Sequence, residues 1–187
     1  MTTEQTIDHV FEIWERHGKD DYIGEPVSQI EHAVQAAALA ASAGCDEEVV
    51  LAAFFHDFGH LCCPEAESMD GYGTVDHEKL GAEYLRRLGF PDRICRLIES
   101  HVQAKRYLTY KNPVYLGRLS EASLMTLTFQ GGPMSPDEAV AFETDALFPL
   151  YLKMRTWDEQ AKEEHVPLPD LSRYREMTRR LLDTQPS

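Results

Sequence analysis

Apolar positions recur along this chain at spacings of three and four rather than two. Ile7, Val10, Phe11 and Trp14 form the first such stripe, which predicts an amphipathic helix ending near Gly18. The alanine-rich stretch from Ser28 to Ala43 favours helix and meets its stop at Gly44. Asp46 is placed to cap a helix through Val49, Val50, Ala53 and Phe54. Between Gly59 and Asp76 the residues Pro64, Gly71 and Gly73 break the pattern, and the stretch is long enough to be a functional loop. Helical spacing resumes from Asp76 to Leu88, closed by Gly89, and again after Pro91 in a helix carrying Ile94, Leu97, Ile98 and His101. Tyr107 to Leu119 reads as loop. Ser120 to Phe129 and Ser135 to Glu143 read as short helices, the second with Ser135 at the cap, Pro136 in the first turn and Glu138 placed for a capping box. Stretches from Leu147 to Glu163 and from about Ser172 to Leu182 complete the set. Alternating β-branched runs are absent and no linker or repeat interrupts the chain, so residues 1–187 are expected to form one all-α domain.

Composition narrows the function classes. Apolar residues at 43% and charged residues at 27% are ordinary for a globular domain. No apolar run approaches the roughly 20 residues that span a bilayer, and Met1 to Asp8 lacks the profile of a secretory signal. The expectation is a cytoplasmic protein with no membrane partner. A net charge of −14 argues against nucleic acid, which needs a basic face, and means that an anionic ligand must be drawn in by local cations or metals. Cys45, Cys62, Cys63 and Cys95 include no CxxC pair and are read as free thiols. Trp14, Phe54, Phe55 and Phe129 are expected in the core, and His9, His17 and His165 in solvent. Tyr107, Tyr110 and Tyr115 are candidates for a loop over a site.

Five of the eight histidines occur where they invite chemistry: His32, His56, His60, His77 and His101. The run Phe55-His56-Asp57-Phe58-Gly59-His60 closes an apolar helix. Adjacent side chains diverge by about 100° within a helix, but near its end both can approach one ion. A carboxylate has two oxygens and can bridge two metals, whereas a neutral imidazole offers one nitrogen to one metal. Asp57 is therefore the natural bridge of a dinuclear centre. His32, His77, His101 and the late Asp158 lie on other helices, and converging helices can pool such ligands in a bundle core. Spacing alone leaves each histidine equally open to an ordinary hydrogen-bonded role.

The series His32, His56-Asp57, His77, His101 and Asp158 resembles the H…HD…H…H…D pattern of the HD superfamily, with the two extra histidines of its dinuclear members. Further segments resemble the phosphonate-cleaving branch of its mixed-valent di-iron oxygenases: Asp21-Tyr22-Ile23-Gly24-Glu25, Gln29-Ile30-Glu31-His32, His101-Val102-Gln103-Ala104-Lys105-Arg106-Tyr107-Leu108-Thr109-Tyr110-Lys111, Phe129-Gln130-Gly131-Gly132 and Trp157-Asp158. The resemblance runs from about Tyr22 to Leu171 and implies an HD-domain helical bundle. It implies two iron ions, Fe(II)/Fe(III), with O2 as co-substrate and a small organophosphonate as substrate. One iron would be held by His32, His56, Asp57 and Asp158, the other by His77, His101 and the far oxygen of Asp57. The implied reaction is cleavage of the C–P bond of a 1-hydroxy-2-amino- or 2-(trimethylamino)ethylphosphonate, giving phosphate and glycine or glycine betaine. Anion recognition falls to His60 and Lys105, with weaker cases for Ser123, Gln130 and Arg155. By resemblance Tyr22 shields one iron until substrate arrives and Glu25 answers the substrate's cation. Asp137 is compatible with a quaternary ammonium, although a first-turn helix acid is an equally physical reading. An HD-type phosphohydrolase is the rival, since two metals flanking a hydroxide serve hydrolysis as well. A metal-holding sensory module without turnover is a second.

Overall fold

The computed structural model describes residues 1–185 except Ile23 and Pro169, so the Ile23 of the first motif lies outside the described residues. Eleven helices follow one another, and no sheet forms among the described residues, where only the isolated bridges Asp21–Ser28 and Ser68–Thr74 occur. They are α1 (Thr3–His17), α2 (Gln29–Ser42), α3 (Glu47–Phe55), α4 (Gly59–Cys62), α5 (His77–Arg87) and α6 (Asp92–Lys111). The chain continues with α7 (Pro113–Leu116), α8 (Glu121–Phe129), α9 (Pro136–Glu143), α10 (Phe148–Gln160) and α11 (Ser172–Asp183). No helix of the described residues is long and apolar enough to cross a membrane.

Caps fall where the sequence calls for them. Asp46 accepts from the Val49 amide, and Ser135 and Glu138 form the expected reciprocal box, as do Ser28 and Glu31. Every residue from Val49 to Gly59 is buried, which makes α3 the axis of the bundle. Around it pack α2, α6 and α11, with α10 lying against both α2 and α6 and α5 against α6. Phe11, Trp14, Phe54, Phe55 and Phe58 interlock, with Phe54 stacked on Tyr174 at 4.4 Å. Each such ring withdrawn from water contributes on the order of 1.5–3 kcal/mol.

Three expectations are corrected. The stretch from Tyr107 to Leu119 is mostly helical: α6 runs on to Lys111 and α7 follows at once. The reason is tertiary, since Tyr107 is buried against Phe142 and Phe148 and holds α6 in register past the point where local preference weakens. Phe129, at the end of α8, is 41% exposed rather than core. His9 is half-buried, because its ring stacks on Tyr84 and bonds the Tyr84 hydroxyl at 2.5 Å.

Candidate metal centre

The residues between α3 and α4 make the centre possible. His56 caps α3, a turn carries Asp57 and Phe58, and α4 starts at Gly59. The helix breaks at the histidine–aspartate pair, so both side chains turn to the same side. Around them stand His32 from α2, His77 from the first residue of α5, His101 from α6 and Asp158 from α10, all buried. The six residues expected to hold metal are thus brought together from five separate places in the fold, His56 and Asp57 sharing one.

Asp57 divides the group in two. Its Oδ2 lies 3.4 Å from His32 Nε2 and 3.3 Å from His56 Nε2, and its Oδ1 lies 3.2 Å from His77 Nε2 and 3.3 Å from His101 Nε2. Asp158 Oδ1 joins the first set, 3.4 Å from His32 and 4.0 Å from His56. Outer partners aim the rings. His32 Nδ1 donates to the Ala161 carbonyl at 2.8 Å, His56 Nδ1 to Ala53 at 2.8 Å and His101 Nδ1 to Ile98 at 2.7 Å. With those protons on Nδ1, His32 and His56 turn two bare Nε2 lone pairs toward each other at 3.0 Å. Two acceptors at that distance repel unless a proton or a metal ion sits between them. Asp57 Oδ2 is buried and has no hydrogen-bond partner. Such an oxygen costs several kcal/mol unless something positive meets it. Neutral imidazoles and carboxylates suit two divalent or trivalent transition metals, so the residues present fit the expected pair.

Arg155 supports the first set from behind. Its guanidinium donates to Asp158 Oδ2 at 2.5 Å, to Tyr115 Oη and Glu159 at 2.9 Å, and to Ser123 Oγ at 3.4 Å. Its charge, with His32 nearby, holds the Asp158 carboxyl well below the usual range although burial opposes this. Tyr115 therefore orients a buried arginine instead of covering the site. Tyr107 serves the core and Tyr110 faces solvent.

A cavity of about 370 Å³ opens beside Asp57, His77, His101 and Asp158. Tyr22, Glu25, His60, Lys105, Ser123, Gln130 and Arg155 all line it. The His60 ring lies over His77 at 4.0 Å and its Nδ1 accepts from the Thr74 amide at 3.0 Å, which leaves the proton on Nε2. Gly73 lets the loop lie on this ring, since a Cβ there would come within 2.6 Å of His60 Cε1. His60 also has a ring nitrogen in reach of Asp57 and His77, and so borders the second set. Tyr22 stacks on His32 with ring centres 4.1 Å apart. Burial, followed by the charges of Asp57 and Asp158, pushes its phenol well above the ordinary range and keeps it protonated. Glu25 is held by the Ser120 hydroxyl at 2.7 Å and by an ion pair with Lys162. Asp137 is exposed in the first turn of α9 and does not line the cavity, so the local reading as a helix-end acid is the correct one.

Lys105 is only 3% exposed and donates to Thr126 Oγ1 at 2.9 Å and the Ser123 carbonyl at 3.3 Å. Burial, then the charge of Arg155, lowers its ammonium to about 7. The protonated fraction is therefore high below pH 7 and falls as pH rises through that value. An anion that needs the ammonium should follow the same curve. Sulfate, whose own charge is constant here, is expected to bind more weakly above pH 7, as read by calorimetry across pH 5.5–9. Lys105→Ala should lose about 10–100-fold in sulfate affinity at pH 6, the worth of one charged hydrogen bond, and should flatten the profile. A wild-type affinity that is level across this range would refute the assignment.

Sequence reasoning passed over several contributors. Thr126 and the Thr74 amide hold Lys105 and His60 in the cavity wall, and nothing local marks them. Glu78 did leave a signal, because it shares the buried face of α5 with Gly81, Ala82 and Leu85.

The model of the HD domain matches residues 30–148. The chain is 38% identical over 172 residues to the [1-hydroxy-2-(trimethylamino)ethyl]phosphonate dioxygenase (glycine-betaine-forming) of Leisingera caerulea, covering 91% of this chain and 87% of that one. It is 35% identical over 175 residues to the hydroxymethylphosphonate dioxygenase of Gimesia maris, covering 92% and 86%. An uncharacterised protein of Acanthamoeba polyphaga mimivirus is 40% identical over 175 residues, covering 92% and 80%.

Proposed function

The chain belongs to the HD-domain family, and from that premise we propose that it is a di-iron oxygenase cleaving the C–P bond of a 1-hydroxyphosphonate, with a cationic 2-(trimethylamino)ethyl group favoured over the primary amine. The observation that carries this reading is the polarity of the cavity beside Asp57. Its buried cations, Lys105 and Arg155, lie with the metal-facing histidines, whereas the acids Asp20 and Asp21 at its rim are exposed. A zwitterion with phosphonate inward and ammonium outward matches both ends.

His32, His56, Asp57 and Asp158 would hold one iron, and His77, His101 and Asp57 the other. When bound, the metals supply the redox capacity for O2 chemistry and the Lewis acidity that grips a hydroxyl and a phosphonate oxygen. The protein's own groups do the rest. Lys105 neutralises phosphonate charge at a buried site, where the pairing is stronger than in water. His60 presents its Nε2 proton to a neighbouring oxygen. Tyr22, stacked on His32, keeps water from the first set and must shift for a substrate to reach it. Glu25 faces the cavity already paired with Lys162, so a substrate cation has to share or displace that lysine.

The test is a matched pair of reactions on iron-loaded protein, with and without O2. The substrates are the trimethylated, primary-amine and unsubstituted hydroxymethyl phosphonates. Oxygen-dependent phosphate with glycine betaine from the first substrate is the expected result. Phosphate from nucleotides without O2, and none from any phosphonate, would move the chain to the hydrolase branch. Turnover of hydroxymethylphosphonate alone would remove the cation from the substrate.

A further inference from the structure

Three of the four metal-facing histidines give their outer Nδ1 proton to a backbone carbonyl, as described above. The fourth does not. His77 Nδ1 is buried with no hydrogen-bond partner, and so is Glu78 Oε2. The two orphans face each other at 3.8 Å, within ion-pair distance though longer than a direct hydrogen bond. Glu78 is 2% exposed, so its carboxylate has left water for a place where nothing else meets this oxygen. Side chains buried in this way ordinarily have a partner.

We propose that Glu78 is the outer partner of His77, accepting its Nδ1 proton when Nε2 binds metal, and that it makes the two metal positions electronically unequal. The inference rests on the dinuclear reading above and concerns how that centre is tuned. A metal on Nε2 fixes the proton on Nδ1, and Oε2 is the acceptor within reach. A carboxylate acceptor draws that proton further than a carbonyl does, so the His77 ring gives more charge to its metal than His32, His56 or His101. The position held by His77 and His101 then favours the higher oxidation state and binds its ion more tightly. Asp57 meets this ring at Nε2, 3.2 Å away, and no group among the described residues bonds Nδ1 directly. Glu78 is thus a positioning residue that touches no substrate.

Cobalt(II) titration with a competing chelator reads the two metal equivalents separately, with no substrate or oxygen present. Wild-type protein should take up two ions. Glu78→Gln, which keeps the shape and removes the charge, should weaken one equivalent by about 10–100-fold and leave the other unchanged. In iron-loaded protein the same variant should move the potential of the mixed-valent pair upward, followed by its electron paramagnetic resonance signal. Glu78→Asp keeps the charge but withdraws it by one methylene, and is expected to lose less at the same equivalent. It also serves if Glu78→Gln does not fold. Two ions bound at wild-type affinities with the potential unmoved, by Glu78→Gln or, where that variant does not fold, by Glu78→Asp, would overturn the role of Glu78. Failure of the wild type to bind a second ion would instead sink the dinuclear centre itself.

Discussion

Asp57→Asn is expected to abolish the second metal and reduce turnover to below about one-hundredth of wild type, while the metal-free protein stays folded with a far smaller change in stability. The two halves of this result have one cause. The carboxylate serves both sets, with Oδ2 toward His32 and His56 and Oδ1 toward His77 and His101. An amide has one oxygen, and its NH2 group would repel the metal on the other side. Losing even an outer partner of a metal ligand costs 10–100-fold in affinity, so loss of the shared oxygen should cost at least about 100-fold at one position. Without metal, by contrast, Asp57 is a buried acid whose Oδ2 has no hydrogen-bond partner, so an amide of the same shape removes a desolvation cost while giving up the attraction of the histidines that hold the carboxyl well below the usual range. Metal analysis and thermal unfolding of the chelated protein separate the two effects. A variant that retains two tightly bound ions would show that Asp57 does not bridge.

Gly59→Ala is expected to damage both fold and centre. A Cβ at Gly59 would lie 1.9 Å from the His77 carbonyl oxygen and 2.6 Å from its carbon. These are backbone atoms at the start of α5, so no side chain can rotate out of the way. Gly81 makes the reciprocal approach, its Cβ position being 2.8 Å from the Gly59 amide nitrogen. Crowding of this kind costs about 1–3 kcal/mol or more, and relief requires α5 to move away from α4, carrying His77 with it. The expected outcome is a clearly lowered melting temperature together with loss of one metal equivalent. Gly117→Ala is the control: its nearest neighbour would be the Val114 carbonyl at 3.7 Å, and its φ of −73° is ordinary. It should shift stability by no more than about 0.5 kcal/mol. Equal behaviour of the two variants would mean that the Gly59 contact carries no strain.

The helices were legible where burial follows a regular stripe. Ile7, Val10, Phe11 and Trp14 are all buried in α1, and the caps at Ser28, Asp46 and Ser135 bond as their positions imply. The stretch after Tyr107 was not legible. Its helix is held by rings from α9 and α10, which local preference does not see. Asp137 is the converse case: beside a glycine turn both a ligand and a helix-end acid were open, and its side chain is exposed at the helix start and outside the cavity.

The sequence by itself determined the residue types of the centre, the break in helix at His56-Asp57 and the all-helical class, because each depends on neighbours within a turn or two. The tertiary structure decided what those residues face. It set Asp57 between two pairs of imidazoles, joined α2 to the end of α10 through His32 and Ala161 and buried Lys105 against Thr126. Those relations join positions up to 129 residues apart, and they arise from helix packing, whose outcome no local spacing encodes.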